Sequence, residues 1–400
     1  MRWTVLLAVA LLSRTSTSHA EEKAHAGPAT VTAAFGKGAT IADPDGDTEL
    51  NIRGRVQVQG AVETNAPDKS GDRAAPDTTV LVRRIRLLFQ GHVLKKTVRY
   101  YIQLGLSARD QETDLLVPMR DAYLEWLEVR DLSVRVGQMK VPFTRERRVS
   151  SSALELVDRS NVNAELSLDR DAGITLFSND LFGSGRRLRY NAGVFGGDGR
   201  NRTADRAGLL WVARVEALPL GDFDDYTGAD LEHSEKPKLS FGLATAYNQS
   251  TVRARSTLSE TFTTGTVDYK HATADLHAKW LGFSLHGEAV YRKADTLVVG
   301  TKVGSDGKPV VERSRPAVGY MLQLGIPLAQ HWDIALRYGE VRPLDGETVY
   351  RDREIGGGVG WFPRGHNLKI QLDYFRLVRD TALAMDVDTD RVRLQTQLFF

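Results

Sequence analysis

From Glu49 to Glu63 the chain reads ELNIRGRVQVQGAVE, and its side chains divide by parity. Leu50, Ile52, Val56, Val58 and Val62 fall on one side with Gly54 and Gly60. Asn51, Arg53, Arg55, Gln57 and Gln59 fall on the other with Ala61. Strand side chains point alternately to opposite faces, so strict alternation over this length predicts a β-strand that is aliphatic on one face and wet on the other. The pattern recurs to the last residue and predicts strands over 50–62, 80–91, 98–107, 118–129, 132–140, 171–178, 187–195 and 209–217. It continues over 238–247, 266–280, 283–294, 316–325, 331–341, 351–362, 367–378 and 390–400. A tilted membrane strand needs ~10 residues, and these sixteen segments are close to that length.

The connections carry a rhythm of their own. Counted from the first strand, the odd ones are long: 63–79, 108–117, 141–170, 196–208, 248–265, 295–315, 342–350 and 379–389. The even ones are mostly short: 92–97, 130–131, 179–186, 281–282, 326–330 and 363–366, with an acidic exception at 218–237. Short periplasmic turns alternating with long external loops are the pattern of an outer-membrane barrel. A soluble sandwich has no reason to keep it. Beyond the signal peptide, Trp126, Trp211, Trp280, Trp332 and Trp361 all lie near strand ends on the apolar parity. Indole rings favour the interface between hydrocarbon and water, and four of these five fall at the periplasmic ends.

Composition narrows the picture. The 400 residues are 42% hydrophobic and 26% charged, too apolar for a disordered chain, and the net charge of +2 predicts no polyanionic partner such as nucleic acid. There is no cysteine, which excludes disulfides, thiolate metal sites and cysteine nucleophiles. MRWTVLLAVALLSRTSTSHA supplies a basic start, an apolar stretch and a small-x-small end, and predicts a signal peptide over 1–20 for export. Residues 21–48 are polar and predict a flexible lead-in, followed by a barrel domain over 49–400. No later apolar run reaches the ~20 residues of a membrane helix, so a spanning chain must do so as a closed barrel.

The resulting fold class is all-β: a transmembrane antiparallel barrel of about sixteen strands with an inward-folded constriction loop. Its aliphatic parity faces outer-membrane lipid. Its polar parity lines a water-filled lumen with Arg53, Arg55, Arg84, Arg86, Arg135, Arg187, Arg189, Arg391 and Arg393. Guanidinium groups stay ionised and bind two oxygens at once, which suits small inorganic anions, with phosphate as a candidate. The longest connection, VPFTRERRVSSSALELVDRSNVNAELSLDRD, carries Ala153, Leu154, Leu156 and Val157 and is too apolar for a solvated tip. Folded into the barrel, it would bring Arg145, Arg147 and Arg148 opposite Asp121 as a constriction and anion-binding set. The terminal strand RVRLQTQLFF is similar to the signal that outer-membrane proteins present to the barrel-insertion machinery.

RRIRLLFQG (83–91), the block MRDAYLEWLEVRDLSVRVGQMKVPFTRERRVSSSALELVDRS (119–160), YNAGVFGGDGRN (190–201) and REIGGGVGWFPRGHNLKIQLDYF (353–375) together resemble the phosphate-selective porin O and P family. The resemblance implies a trimeric sixteen-stranded barrel whose third loop forms the constriction. It also implies an acidic wall residue at Asp121 and a basic loop residue at Arg147. The chain departs from the family in having arginine at that loop position, not lysine, and no ladder of closely spaced arginines.

Other chemistry is poorly supported. DPDGDTE (43–49) lacks the glycine at the sixth position and the glutamate at the twelfth that a calcium loop needs, and GGGVG (356–360) has no helix after it to cradle a phosphate. No metal site and no cofactor are expected. His277 and His286 could meet near Asp275 or Glu288, but no nucleophile accompanies them. A passive anion-preferring porin therefore stands first. A non-conducting structural or adhesive barrel and an outer-membrane barrel enzyme are the alternatives.

Overall fold

The computed structural model describes residues 27–65, 75–111, 115–203, 208–344, 351–380 and 387–400, and residues 1–20, expected from sequence to be a signal peptide, lie outside them. Sixteen strands form the wall. The first eight are β1 (Glu49–Asn65), β2 (Asp77–Val93), β3 (Val98–Gly105), β4 (Met119–Trp126), β5 (Ser133–Lys140), β6 (Arg170–Ser178), β7 (Leu188–Phe195) and β8 (Leu210–Ala217). They are followed by β9 (Lys238–Thr251), β10 (Val267–Trp280), β11 (Phe283–Ala294), β12 (Ala317–Ala329), β13 (Trp332–Pro343), β14 (Arg351–Trp361), β15 (Leu368–Asp380) and β16 (Val387–Phe399). Each pairs antiparallel with the next, and β16 returns to β1 with Gln395 opposite Gln59. Closure satisfies every strand edge inside the wall, which is what a sheet in hydrocarbon requires.

Parity does what the alternation predicts. In β9, Ser240, Ala244, Ala246 and Asn248 are buried while Phe241 and Leu243 are exposed. On the outer face, Val58, Leu372 and Leu394 stand out beside the exposed rings of Trp126, Trp211, Trp280 and Trp332. Trp332 and Trp361 are cross-strand neighbours with ring centroids 6.1 Å apart at the short-turn mouth. The turn between β10 and β11 is two residues, Leu281 and Gly282, both with positive φ (51° and 89°). Such a primed turn matches the strand twist and keeps that end tight.

Three features depart from the pattern. Part of the lead-in 21–48 is regular: Thr30–Ala34 and Gly38–Ala42 form a hairpin whose second strand pairs with Glu49–Ile52 of β1. The reason is an edge. The last ladder pair of β16 is Phe399 with Arg55, so the start of β1 would otherwise expose unpaired peptide groups on that side. A second hairpin, Val298–Val303 with Pro309–Arg313, stands in the connection 295–316. Finally, the register shifts in four ladders, β1–β2, β3–β4, β9–β10 and β12–β13, and in the first two the extra residue is an arginine. Gln57 pairs with Arg84 but Val58 pairs with Val82, leaving Arg83 extra. Gln103 pairs with Asp121 but Leu104 pairs with Met119, leaving Arg120 extra.

Candidate anion-selective channel site

The connection after β5 holds two helical turns, α1 (Arg145–Arg148) and α2 (Asn161–Leu166). Ser160 caps α2, its hydroxyl accepting from the Asn163 amide at 3.1 Å. Val141, Phe143, Val162, Leu166 and Leu168 of this segment join Val212, Ala244, Ala246, Val290, Ala317 and Met321 of the wall in one apolar cluster. Burying a side chain of this size contributes about 1.5–3 kcal/mol, so five of them offset much of the entropy lost in ordering the segment. The wall makes room. A Cβ on Gly319 would stand 2.7 Å from the Leu166 side chain and 3.0 Å from Val162.

Polar wall residues bind the same segment by its backbone. Lys369 Nζ donates to the Leu154 carbonyl at 2.6 Å, and Gln371 donates to that of Glu155 at 2.7 Å. Arg337 Nη1 donates to the Asp158 carbonyl at 2.9 Å, and Arg292 Nη1 to that of Glu165 at 2.6 Å. From β1, Arg55 Nη2 donates to Ser151 Oγ at 3.0 Å and Gln57 to the Ser151 carbonyl at 3.2 Å. Side chains from β1, β11, β13 and β15 thus converge on one segment.

Against the wall of β1–β7 a cavity of about 310 Å³ remains. Nine basic side chains line it (Arg55, Arg86, Arg120, Arg135, Lys140, Arg147, Arg148, Arg159 and Arg170), against one carboxylate, Asp121. Some of these charges are neutralised. Asp121 receives a two-pronged bond from Arg170, 3.0 Å on each side, and Asp169 takes Arg147 Nε at 2.8 Å. Others are not. Among the described residues Arg55, Arg120, Lys140 and Arg159 have no carboxylate in salt-bridge range, and neutral oxygens hold them. Lys140 Nζ, for example, donates to the Arg148 and Val149 carbonyls at 2.8 and 3.2 Å. Burial, reinforced by the neighbouring Arg147 and Arg84 charges, pushes the Arg159 guanidinium down to about 9. A buried cation without a partner is costly, and an anion in the cavity removes that cost.

A wider cavity of about 620 Å³ adjoins it on the long-loop side, with eleven arginines and seven carboxylates in its lining. The two share Arg120, Arg147 and Arg159. The wider cavity, a vestibule to the inner one, is thus mixed but basic, and the inner one is almost purely basic.

The residues expected from sequence divide among these places. Arg147, Arg148 and Asp121 line the inner cavity, although Asp121 is bound to Arg170 and none of the three loop arginines pairs with it. Arg145 corrects the expectation. It is completely buried away from that cavity, with Nη1 2.6 Å from Asp225, Nε 2.6 Å from Asp275 and Glu216 at 3.8 Å. A guanidinium already facing three carboxylates holds structure and has no capacity left for a solute anion. Of the wall set, Arg55, Arg86 and Arg135 line the inner cavity, and Arg84, Arg391 and Arg393 line the vestibule. Arg189 is bound in the Arg145 cluster through Asp225 at 2.5 Å. Arg53 sits at the short-turn rim between the Gly36 carbonyl (2.7 Å) and the Phe399 ring (4.0 Å). Arg187 is exposed just ahead of β7, at the short-turn end of the wall, and lines neither cavity. His277 and His286 lie against the inserted segments, with Phe223 stacked on His277 at 6.3 Å.

Arg83, Arg120, Lys140, Arg159 and Arg170 escape a parity reading. Arg83 and Arg120 are the bulge residues, and each brings an additional arginine to the lumen. The doublets Arg83-Arg84 and Arg120-Asp121 are the available signal, since two adjacent charges on an alternating strand need a bulge to share a face.

Residues 51–220 match the family described as Phosphate-selective porin O and P. No curated protein sequence matches the chain. Among solved structures the fold is similar to an anion-selective porin from Comamonas acidovorans, with TM-score 0.56 at 14% identity, covering 88% of this chain and all of that one. It is similar to the outer-membrane channel DcaP of Acinetobacter baumannii, with TM-score 0.55 at 13% identity, covering 92% of this chain and all of that one. The trimer form of OmpT from Vibrio cholerae aligns with TM-score 0.51 at 9% identity, over 88% of this chain and 99% of that one.

Proposed function

From a chain whose residues 51–220 are of the phosphate-selective porin O and P family, inside a sixteen-strand barrel of the outer-membrane channel type, we propose a passive diffusion channel that prefers anions. The segment 141–169 is its constriction, and the inner cavity is the compartment a solute must cross. One observation carries the reading: nine cations face one carboxylate there, and four of the nine lack an acidic partner among the described residues. In a narrow passage that strips water from its solute, fixed charges count for more than on a wide wall. Neutral oxygens that orient Arg55, Lys140 and Arg159 leave those cations free to attract an anion without trapping it, and conduction needs release as well as capture.

Phosphate is the anion the family description suggests, and planar guanidinium groups match its oxygens. The OmpT relative supports a homotrimer. The test is single-channel conductance of the purified protein in planar bilayers, with reversal potentials across a potassium chloride gradient. The expected result is discrete steps in groups of three and a reversal potential on the chloride side, with chloride current reduced as phosphate is added. A cation-side reversal potential would overturn the anion reading, and a silent bilayer would overturn the channel.

A further inference from the structure

The connection 218–237 is the exception among the short turns, and its contacts lie inside the barrel. It leaves β8 and joins β9 at the short-turn mouth, opposite to the mouth from which 141–169 descends. Asp225 accepts from Arg145 of the descending segment at 2.6 Å, and from Arg189 and Ser240 of the wall at 2.5 and 2.7 Å. The Gly228 amide donates to the Ala153 carbonyl at 2.9 Å, joining the two segments backbone to backbone. A side chain at Gly228 would not fit, since its Cβ would stand 2.8 Å from the Glu155 nitrogen. Tyr226 packs against Val149, Ala153 and Leu154. Its ring lies 4.5 Å from the Arg148 guanidinium, and its hydroxyl donates to Glu216, the carboxylate that also takes Arg148 at 3.0 Å.

We infer that 218–237 is a second pore-narrowing segment that enters from the periplasmic mouth, and that Tyr226 on it positions Arg148 at the wall of the anion compartment. This rests on the channel reading above. Arg148 alone would be a long, mobile cation on a four-residue helical turn. With an aromatic face beneath it and a shared carboxylate beside it, its charge has one place. Arg145 then has a role that a solute-binding residue could not have. It clasps the two segments together: burial alone would lower its pKa, but the charges of Asp275, Asp225 and Glu216 outweigh that and raise it, so the clasp holds its charge across any physiological pH. Selectivity is set by two segments of opposite origin.

Two variants test this in bilayers. Replacing 222–229 with a glycine-serine linker of equal length should raise single-channel conductance by about 1.5-fold or more and reduce the anion-over-cation permeability ratio by at least about two-fold. Because that variant removes Asp225 from a buried cluster, Tyr226→Ala is the companion, with the carboxylate ladder intact. It should reduce the permeability ratio while Tyr226→Phe, which keeps the ring, stays close to the parent. Barrel insertion is checked for each by the usual resistance to unfolding in cold detergent. An inserted Tyr226→Ala protein with the parent's conductance and reversal potential overturns the inference and leaves the channel reading in place. Loss of current in the parent itself would instead overturn the channel reading.

Discussion

The two halves of the lumen obey one parity rule and come to opposite ends. Along β1–β7 the inward positions carry long cations (Arg55, Arg86, Arg135), and the space in front of them stays open. Along β8–β13 the inward positions include Val212, Ala244, Ala246, Gly319, Ala335 and Gly339, and the space is filled by 141–169. The charges that remain in the filled half face protein: Arg292 and Arg337 bind loop carbonyls, and Asp275 bonds to Arg145 and Arg214 at 2.6 and 2.7 Å. A wall charge is thus a pore charge only where its neighbours are too large or too polar to seat a loop.

The comparison can be broken most forcefully in the filled half. Asp275→Ala leaves Arg145 and Arg214 short of a buried partner, and such losses cost about 3–5 kcal/mol. Urea unfolding in detergent should show that deficit, and a loss below about 1 kcal/mol would mean the cluster is not what holds the segment down. Leu166→Ala, at the apolar seat, should cost about 2–5 kcal/mol with the barrel still closed, read by the same titration.

Substitutions that exchange the roles of the halves are more discriminating. Arg159→Gln removes a cation that has no acidic partner among the described residues, so stability should hold within about 1 kcal/mol or improve. Its anion-over-cation permeability ratio, from reversal potentials, should fall several-fold. Arg292→Gln in the filled half should do the reverse, with a measurable loss of stability and an unchanged reversal potential. If both variants shift the reversal potential equally, the division into open and filled halves is wrong. Arg187→Gln is expected to change stability by no more than about 0.5 kcal/mol and selectivity not at all, because the side chain is exposed ahead of its strand.

The walls were legible because period-two alternation is a local signal. It reads β10 and β11 nearly to the residue and separates Arg55 from Val56. It does not survive an inserted residue, which is why Arg83 and Arg120 were assigned to no lumen face and Arg84 was read without its neighbour. Loop positions have no period. The basic run Arg145, Arg147 and Arg148 looks uniform in sequence, yet four residues of helix send Arg145 into a carboxylate cluster and the other two toward the cavity. Nor could alternation reveal that an acidic turn would meet a distant loop, since the pairs Arg145 with Asp225 and Ala153 with Gly228 are fixed only by the closed barrel.

The joint between β1 and β16 sets an order on assembly. Gly54 and Phe400 exchange backbone hydrogen bonds of 2.7 and 2.8 Å, so the first strand acquires its final neighbour only after the sixteenth has arrived. Contacts this remote in sequence are the slow ones to form, because the whole intervening chain must be organised first. Until then β1 waits with a bare flank, the kind of flank that recruits wrong partners. The hairpin at 30–42 is close in sequence and can dock on Glu49–Ile52 early. It covers for good the end of the seam that the last strand does not reach, and leaves the rest to the closing ladder.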